Sequence, residues 1–228
     1  MKATPTTLGM IMDGNRRFAR EKGLPAVEGH RYGYEKLKEV SRWCQEVGVE
    51  NLIVYAFSSE NWNRPKEEIS FLFSLLREVL TEKLNELAEE GVRLRFIGDR
   101  SRFEEDMQKI LLQAEQKTAE NKKNTLIVAL SYGGRDEILR VVKGLLKNGV
   151  SPDSVSEESF SKELDTAGMP DPDLIVRTSG EQRLSNFLPW QGAYSEIYFT
   201  PTYWPAFSKE EFLKILEWYA GRERRFGK

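Results

Sequence analysis

Apolar and polar positions along the chain sort into two alternating kinds of segment. Residues 8–12, 51–57, 92–97, 124–130, 174–177 and 195–199 are short, nearly unbroken apolar runs and predict strands. Between them apolar residues recur at three- and four-residue spacing, which predicts helices from residue 15, over 32–47, 66–90, 102–120 and 135–147, and a closing helix over 209–224. Strands without a polar face, separated by helices, predict an α/β fold: a mostly parallel central sheet flanked by helices. Ligands on such sheets bind beyond the carboxyl ends of the strands. The polar sequences sit there: DGN after the first strand, SSENWNR after the second, SYGGR after the fourth and RTSGEQR after the fifth.

The segment 66–90 carries more apolar surface than one buried face needs. At about 100° per residue, Ile69, Leu72, Phe73, Leu76, Val79, Leu80, Leu84 and Leu87 share a face, and Phe71 and Leu75 widen it to roughly 220°. The extra width suits a second core wall, a partner subunit or the lining of an apolar cavity.

Composition narrows the class. At 228 residues with no linker, repeat or low-complexity tract, the chain is expected to form one domain over 1–228. A net charge of −2 argues against a general nucleic-acid binder. The arginines nonetheless cluster, at 16, 17 and 20, at 177 and 183, and at 222, 224 and 225, which suggests discrete anion sites. Cys44 and His30 are the only residues of their kinds, so disulfide frameworks, thiolate zinc sites and multi-histidine metal cages are excluded. With no secretory pattern and no apolar run near 20 residues, a soluble cytoplasmic protein with at most peripheral membrane contact is expected.

The richest chemistry lies in Asp13-Gly14-Asn15-Arg16-Arg17. A strand turning into a helix there presents free backbone N–H groups that favour an anion. Three arginines add positive charge, and Asp13 is a lone carboxylate suited to a divalent metal that bridges protein and phosphate. An Asp-Gly turn with surface arginines would read the same in isolation. Ser58 to Pro65 offers hydroxyls, an amide, an arginine and an aromatic in eight residues, and also reads as a helix start. Arg177 to Ser185 resembles a phosphate nest with two arginines. Glu196 lies in an otherwise apolar run, where a carboxylate is costly unless paired or metal-bound. Two phosphate sites, one metal carboxylate and an apolar cavity point to the joining of two diphosphate esters that carry hydrocarbon.

With these residues the chain resembles the cis-prenyltransferases, the undecaprenyl diphosphate synthase family. The matching stretches are MDGNRRFA, Gly29-His30, YAFSSENWNRP, YGGR, DLIVRTSGEQRLSNFLPWQ, EIYF and RERRFG, in the family's order and over nearly the whole chain. The resemblance implies a homodimeric, Mg²⁺-dependent enzyme that adds isopentenyl diphosphate repeatedly to an allylic diphosphate, usually farnesyl diphosphate, forming Z double bonds. It implies that Asp13 is the metal carboxylate, assisted by Glu196. Gly14, Asn15, Arg16, Arg17, Phe18 and His30 would hold the allylic diphosphate. Ser58, Ser59, Glu60, Asn61, Trp62 and Arg64 would form a mobile catalytic loop, with Asn61 at the position of proton removal. Arg177, Arg183, Leu184 and Ser185 would bind isopentenyl diphosphate, and Arg225-Phe226-Gly227 would reach the partner's site.

Four positions depart from the family pattern: Thr7 and Gln182 replace histidines, Ala26 an arginine and Ser131 an asparagine. One lost arginine–phosphate contact costs roughly 1.5–3 kcal/mol, for which Arg16 or Arg20 can compensate. Ala56, small in the expected pocket wall, favours a product near the undecaprenyl class, with a short-chain Z-product second. A non-catalytic partner subunit, or an isoprenoid-diphosphate binding protein without turnover, is the reading the catalytic residues oppose.

Overall fold

The computed structural model describes residues 4–223. Its elements run β1 (Thr7–Ile11), α1 (Asn15–Glu21), α2 (Ala26–Val47), β2 (Asn51–Ser58), a 3₁₀ turn (Ser59–Asn63), α3 (Lys66–Glu82), α4 (Leu84–Glu89) and β3 (Val92–Ile97). They continue with α5 (Glu105–Thr118), β4 (Asn124–Tyr132), α6 (Gly134–Lys147), α7 (Glu157–Ser161), β5 (Leu174–Arg177), β6 (Glu196–Phe199) and α8 (Lys209–Ala220). The six strands form one sheet in the order β3-β4-β2-β1-β5-β6, and every pairing is parallel. The expected α/β architecture is therefore the observed one.

Strand residues alternate between two cores. Leu8, Met10, Leu52, Val54, Leu126, Val128, Leu174 and Val176 enter a large cluster that includes Val40, Leu80, Leu111 and Phe212 from the helices. Ile53, Ile127, Ala129 and Ile175 face the other way, against Tyr132, Phe187 and Leu188. Both faces are dry, which is why the strands read as apolar runs rather than as alternating ones.

Two helices differ from expectation. α2 begins six residues earlier than its periodicity suggests, directly after Pro25, whose carbonyl accepts the Glu28 amide at 3.0 Å. Gly29 and Gly33 mask this start because glycine weakens a helix. Here they permit contact with α1: a Cβ on Gly29 would lie 2.1 Å from the Asn15 carbonyl oxygen, and one on Gly33 2.4 Å from Asn15 Oδ1. The long helix over 66–90 is in fact two, broken at Lys83 (φ −108°, ψ 2°). No proline or glycine marks the break. It sets Leu84 and Leu87 into the core where α4 lies against β3.

Candidate active site

The crossover that leaves β1 runs to β2 on one side, and the one that leaves its other neighbour, β5, runs the opposite way to β6, which opens a crevice beyond the carboxyl ends of β1 and β5. Ile11 is in register with Arg177, the last residue of β5. Asp13 therefore leaves β1 beside the Arg177 side chain. Arg177 Nη2 donates to Asp13 Oδ2 at 2.9 Å, and Arg17 Nη2 lies 3.4 Å from Asp13 Oδ1. Arg177 is 5% exposed; its Nη1 donates to Ser185 Oγ at 2.7 Å and to the Arg183 carbonyl at 2.5 Å, while its buried Nε has no partner. A buried guanidinium held by one carboxylate and with a donor left over is prepared for a further anion.

Backbone strain collects around this pair. Ser179, Ser185, Asn186 and Leu188 all have positive φ (80°, 49°, 67° and 50°), a conformation that costs non-glycine residues about 1–3 kcal/mol each. Gly14, at φ 104°, joins the turn after β1 to this loop: a Cβ there would meet Ser179 Oγ and Tyr203 Cδ1 at 2.9 Å. Two amides of the 177–185 loop are already taken. The Ser179 and Gly180 amides donate to the Thr202 and Thr200 carbonyls at 2.8 Å, so these two do not point to an open site. Arg183 is 60% exposed and paired with Glu181, and Leu184 packs on the second core.

The first turn of α1 has no side-chain cap, in keeping with an anion-accepting start. Asn15 Nδ2 donates to the Met12 carbonyl at 3.3 Å, while its Oδ1 is buried without a partner. Phe18 makes an edge contact with Tyr32 and does not line the cavity. In the 3₁₀ turn, Asn61 Oδ1 accepts the Ser58 amide at 3.1 Å. Asn186 Nδ2 donates to Glu60 Oε1 at 3.0 Å. Trp62 donates from Nε1 to Ser131 Oγ at 2.9 Å and packs among Phe57, Phe73 and Phe103. Its ring braces the loop and is not among the cavity-lining residues.

His30 projects from α2 toward Glu68 of α3, with Nε2 3.5 Å from Glu68 Oε1, too far for a sound hydrogen bond. Arg64 Nη1 reaches the same oxygen at 3.0 Å, and Arg16 Nη1 is 3.7 Å from the other. Burial lowers the His30 pKa below its ordinary value; Arg64 and Arg16 push the same way, and Glu68 opposes them. His30 is thus a neutral imidazole near pH 7.

Below this edge an apolar cavity runs between the sheet and the helices α2 and α3. Met12, Asn15 and His30 line it at the Asp13 end, Leu72 and Leu76 along α3, and Leu126 and Glu90 at depth. Ala56 and Phe57 of β2 form part of its wall. The wide apolar arc of the long segment is a cavity lining as well as a core face.

The structure does not bring Glu196 to Asp13. Glu196 opens β6, level with Leu174 and so with Leu8, at the amino end of the sheet. With about 3.3 Å per residue and two strand spacings of about 4.8 Å, its backbone is on the order of 14 Å from that of Ile11. Within one chain the two carboxylates cannot share an ion. Glu196 is half-buried rather than buried, and it pairs with Arg222, whose Nε donates to Glu196 Oε2 at 2.9 Å. Thr7 is likewise at the amino end, where it accepts from Asn51 Nδ2 at 3.2 Å. The Arg225-Phe226-Gly227 element lies outside the described residues.

Comparison with known proteins agrees with this geometry. The family model described as "Putative undecaprenyl diphosphate synthase" matches residues 11–227. The chain belongs to that family. Isoprenyl transferases of Agrobacterium fabrum and Aquifex aeolicus are 49% and 47% identical to it over 98% of this chain, covering 92% and 96% of those proteins. Among solved structures it is similar to lavandulyl diphosphate synthase from Lavandula x intermedia in complex with dimethylallyl diphosphate (TM-score 0.92, 35% identity, 99% of both chains). It is also similar to a probable undecaprenyl diphosphate synthase from Campylobacter jejuni (TM-score 0.83, 38% identity, 100% of both chains). The protein is a prenyltransferase of isoprenoid biosynthesis.

Two residues of this prenyltransferase site escaped the sequence reading. Glu68 gathers His30, Arg64 and Arg16, and its only sequence signal is the i,i+4 spacing to Arg64. Asn186 joins the loops after β2, β4 and β5; it lies inside the matching stretch DLIVRTSGEQRLSNFLPWQ, but no role was assigned to it there.

Proposed function

We propose that the enzyme condenses isopentenyl diphosphate repeatedly onto an allylic diphosphate, with farnesyl diphosphate as primer, to give a Z-polyprenyl diphosphate of the undecaprenyl class. The observation that carries this reading is the meeting of a cationic crevice with an apolar cavity at one end of the sheet, with Asn15 and His30 at the junction. A diphosphate head seated by Arg17 and the open first turn of α1 would place its hydrocarbon in that cavity. Arg177, Arg183 and Ser185 would hold the second diphosphate.

Among the described residues no three His, Cys, Asp or Glu side chains gather as a metal cage. One carboxylate beside phosphate-binding arginines fits Mg²⁺, which is commonly held by one or two carboxylates together with substrate phosphates. Asp13 would hold it, and the ion would offset charge on the departing diphosphate.

The isopentenyl double bond attacks the allylic C1, the C1–O bond breaks, and diphosphate leaves with the electron pair. A proton is then lost from C2 of the isopentenyl unit. Asn61 is an unsuitable base: an amide carbonyl is weakly basic, and its Oδ1 already accepts the Ser58 amide. Its Nδ2 would orient a diphosphate by donating to it, and a diphosphate oxygen would take the proton. Asn61→Ala is then expected to lower turnover with little change in allylic affinity.

A short-chain product is the second reading. Tyr34, a large residue among those that line the cavity from α2, favours it. We further propose a homodimer in solution, meeting membranes only at the periphery. α6 leaves Leu139, Val142 and Leu146 exposed at i, i+3 and i+7, with Leu146 at 73%. No described helix is long and apolar enough to cross a membrane.

Purified protein with Mg²⁺, farnesyl diphosphate and radiolabelled isopentenyl diphosphate tests the reaction, with products resolved by length. Label in chains of several added units supports the main reading, and single additions the second. No incorporation at all would favour a non-catalytic subunit. Light scattering of wild type and Leu146→Glu tests the dimer.

A further inference from the structure

We infer that Asn186 is a positioning residue that joins the Ser58–Arg64 loop to the Arg177 pocket, so that the two sites of prenyl transfer are set as one unit. The inference rests on the prenyl-transfer reading above. Asn186 follows Ser185 on the segment leaving β5, and both residues hold a left-handed backbone that non-glycine residues rarely adopt. Such a conformation persists only where its surroundings fix it.

The fixing bonds come from three loops. Asn186 Nδ2 donates to Glu60 Oε1 at 3.0 Å, in the loop after β2. Its Oδ1 accepts the Arg135 amide at 2.9 Å and its carbonyl accepts the Gly134 amide at 2.9 Å, both after β4. Its neighbour Ser185 accepts Arg177 Nη1 at 2.7 Å. Glu60 is therefore connected to Arg177 through two adjacent residues.

The glycine pair of the YGGR sequence makes this approach possible. A Cβ on Gly133 would lie 2.3 Å from Ser59 Oγ and 2.8 Å from Asn186 Nδ2, and one on Gly134 1.9 Å from Pro189 Cδ. Position 186 also demands asparagine. One end of its side chain must donate to a carboxylate and the other must accept from a backbone amide. Aspartate would set a second negative charge against Glu60, and alanine would remove the link between Glu60 and the Arg135 amide.

The test is steady-state kinetics of Asn186→Ala, Asn186→Asp, Glu60→Gln and the double variant Asn186→Asp with Glu60→Gln, beside their melting temperatures. In Asn186→Ala the KM for isopentenyl diphosphate is expected to rise about tenfold and kcat to fall, with the allylic KM within about twofold of wild type. Asn186→Asp should be worse than alanine. In the double variant the hydrogen-bond polarity is reversed: the amide introduced at position 60 donates and the carboxylate introduced at position 186 accepts. It should recover the isopentenyl KM to within about threefold of Glu60→Gln alone. The inference is overturned if Asn186→Ala melts lower but keeps both KM values. It is overturned equally if the double variant is no better than Asn186→Asp. Should Asn186→Ala fail to fold, the comparison of Asn186→Asp with the double variant decides alone. A wild-type enzyme that transfers no isopentenyl unit would instead refute the underlying reaction.

Discussion

Replacing Asp13 separates what the site does for stability from what it does for catalysis. Its carboxylate accepts from Arg177, whose side chain is 6% exposed, while Asp13 itself is 29% exposed. Breaking a fully buried pair costs about 3–5 kcal/mol and an exposed one about 0–1 kcal/mol. Arg177 keeps Ser185 Oγ and the Arg183 carbonyl after the change, and water can reach the vacated side. Asp13→Ala should therefore cost about 1–2 kcal/mol, or roughly 2–8 °C in melting temperature for a chain of this size. Asp13→Asn keeps an acceptor facing Arg177 Nη2 and should recover most of that loss. Catalysis should not recover with it. If the carboxylate anchors Mg²⁺ at the leaving diphosphate, both variants lose more than about 10²-fold in kcat/KM, equal to about 2.7 kcal/mol of transition-state stabilisation. Calorimetric melts and label incorporation across a Mg²⁺ titration measure both quantities. Turnover of Asp13→Asn within about tenfold of wild type, with an unchanged Mg²⁺ requirement, would refute the assignment.

Three further expectations concern other sites. Because His30 has a folded pKa below its ordinary 6.5, the unfolded chain binds more protons between those two values. Stability should thus fall as pH drops through 6.5 toward the folded pKa, and His30→Asn should flatten that dependence in urea unfolding at about pH 5 and pH 7.5. The charges facing the imidazole are Glu68 of α3, Arg64 of the preceding loop and Arg16 of α1, so Glu68→Gln should steepen the loss. Gly14→Ala forces a side chain to φ 104° and against Ser179 and Tyr203; about 1–3 kcal/mol of destabilisation is expected, with lowered turnover, and a wild-type melt would count against the strain. Cys44 is wholly buried, and burial raises its thiol pKa, so a thiol reagent should label it only as fast as the protein opens. Rapid labelling of the native enzyme would contradict that.

How far the sequence reached is clearest from two carboxylates. Asp13 and Glu196 each lie beside an apolar run, and the pattern marks both as strands without saying which way or beside which neighbour they lie. Asp13 leaves the carboxyl end of its strand and meets Arg177, 164 residues away, because β1 and β5 are parallel neighbours. Glu196 enters the amino end of the next parallel strand, and the same topology carries it away from the crevice. The runs themselves were legible because dry parallel strands need no polar face. Pairing depends on crossovers that a local pattern cannot show. The start of α2 was hidden for a related reason: Gly29 and Gly33 weaken the isolated helix, and only contact with Asn15 makes them advantageous. The roles of Glu68 and Asn186 were missed because His30 and Arg16 reach the one, and Glu60 and Arg135 the other, only through the fold. The anion-binding motifs are local and readable. Their assembly into one site depends on left-handed turns at 179, 185 and 186 and on the glycines opposite them, where local preference yields to tertiary contact. A relocated Asp13–Arg177 pair without those turns would keep its charges and lose the shape that sets Arg177 against Ser185 and Asp13.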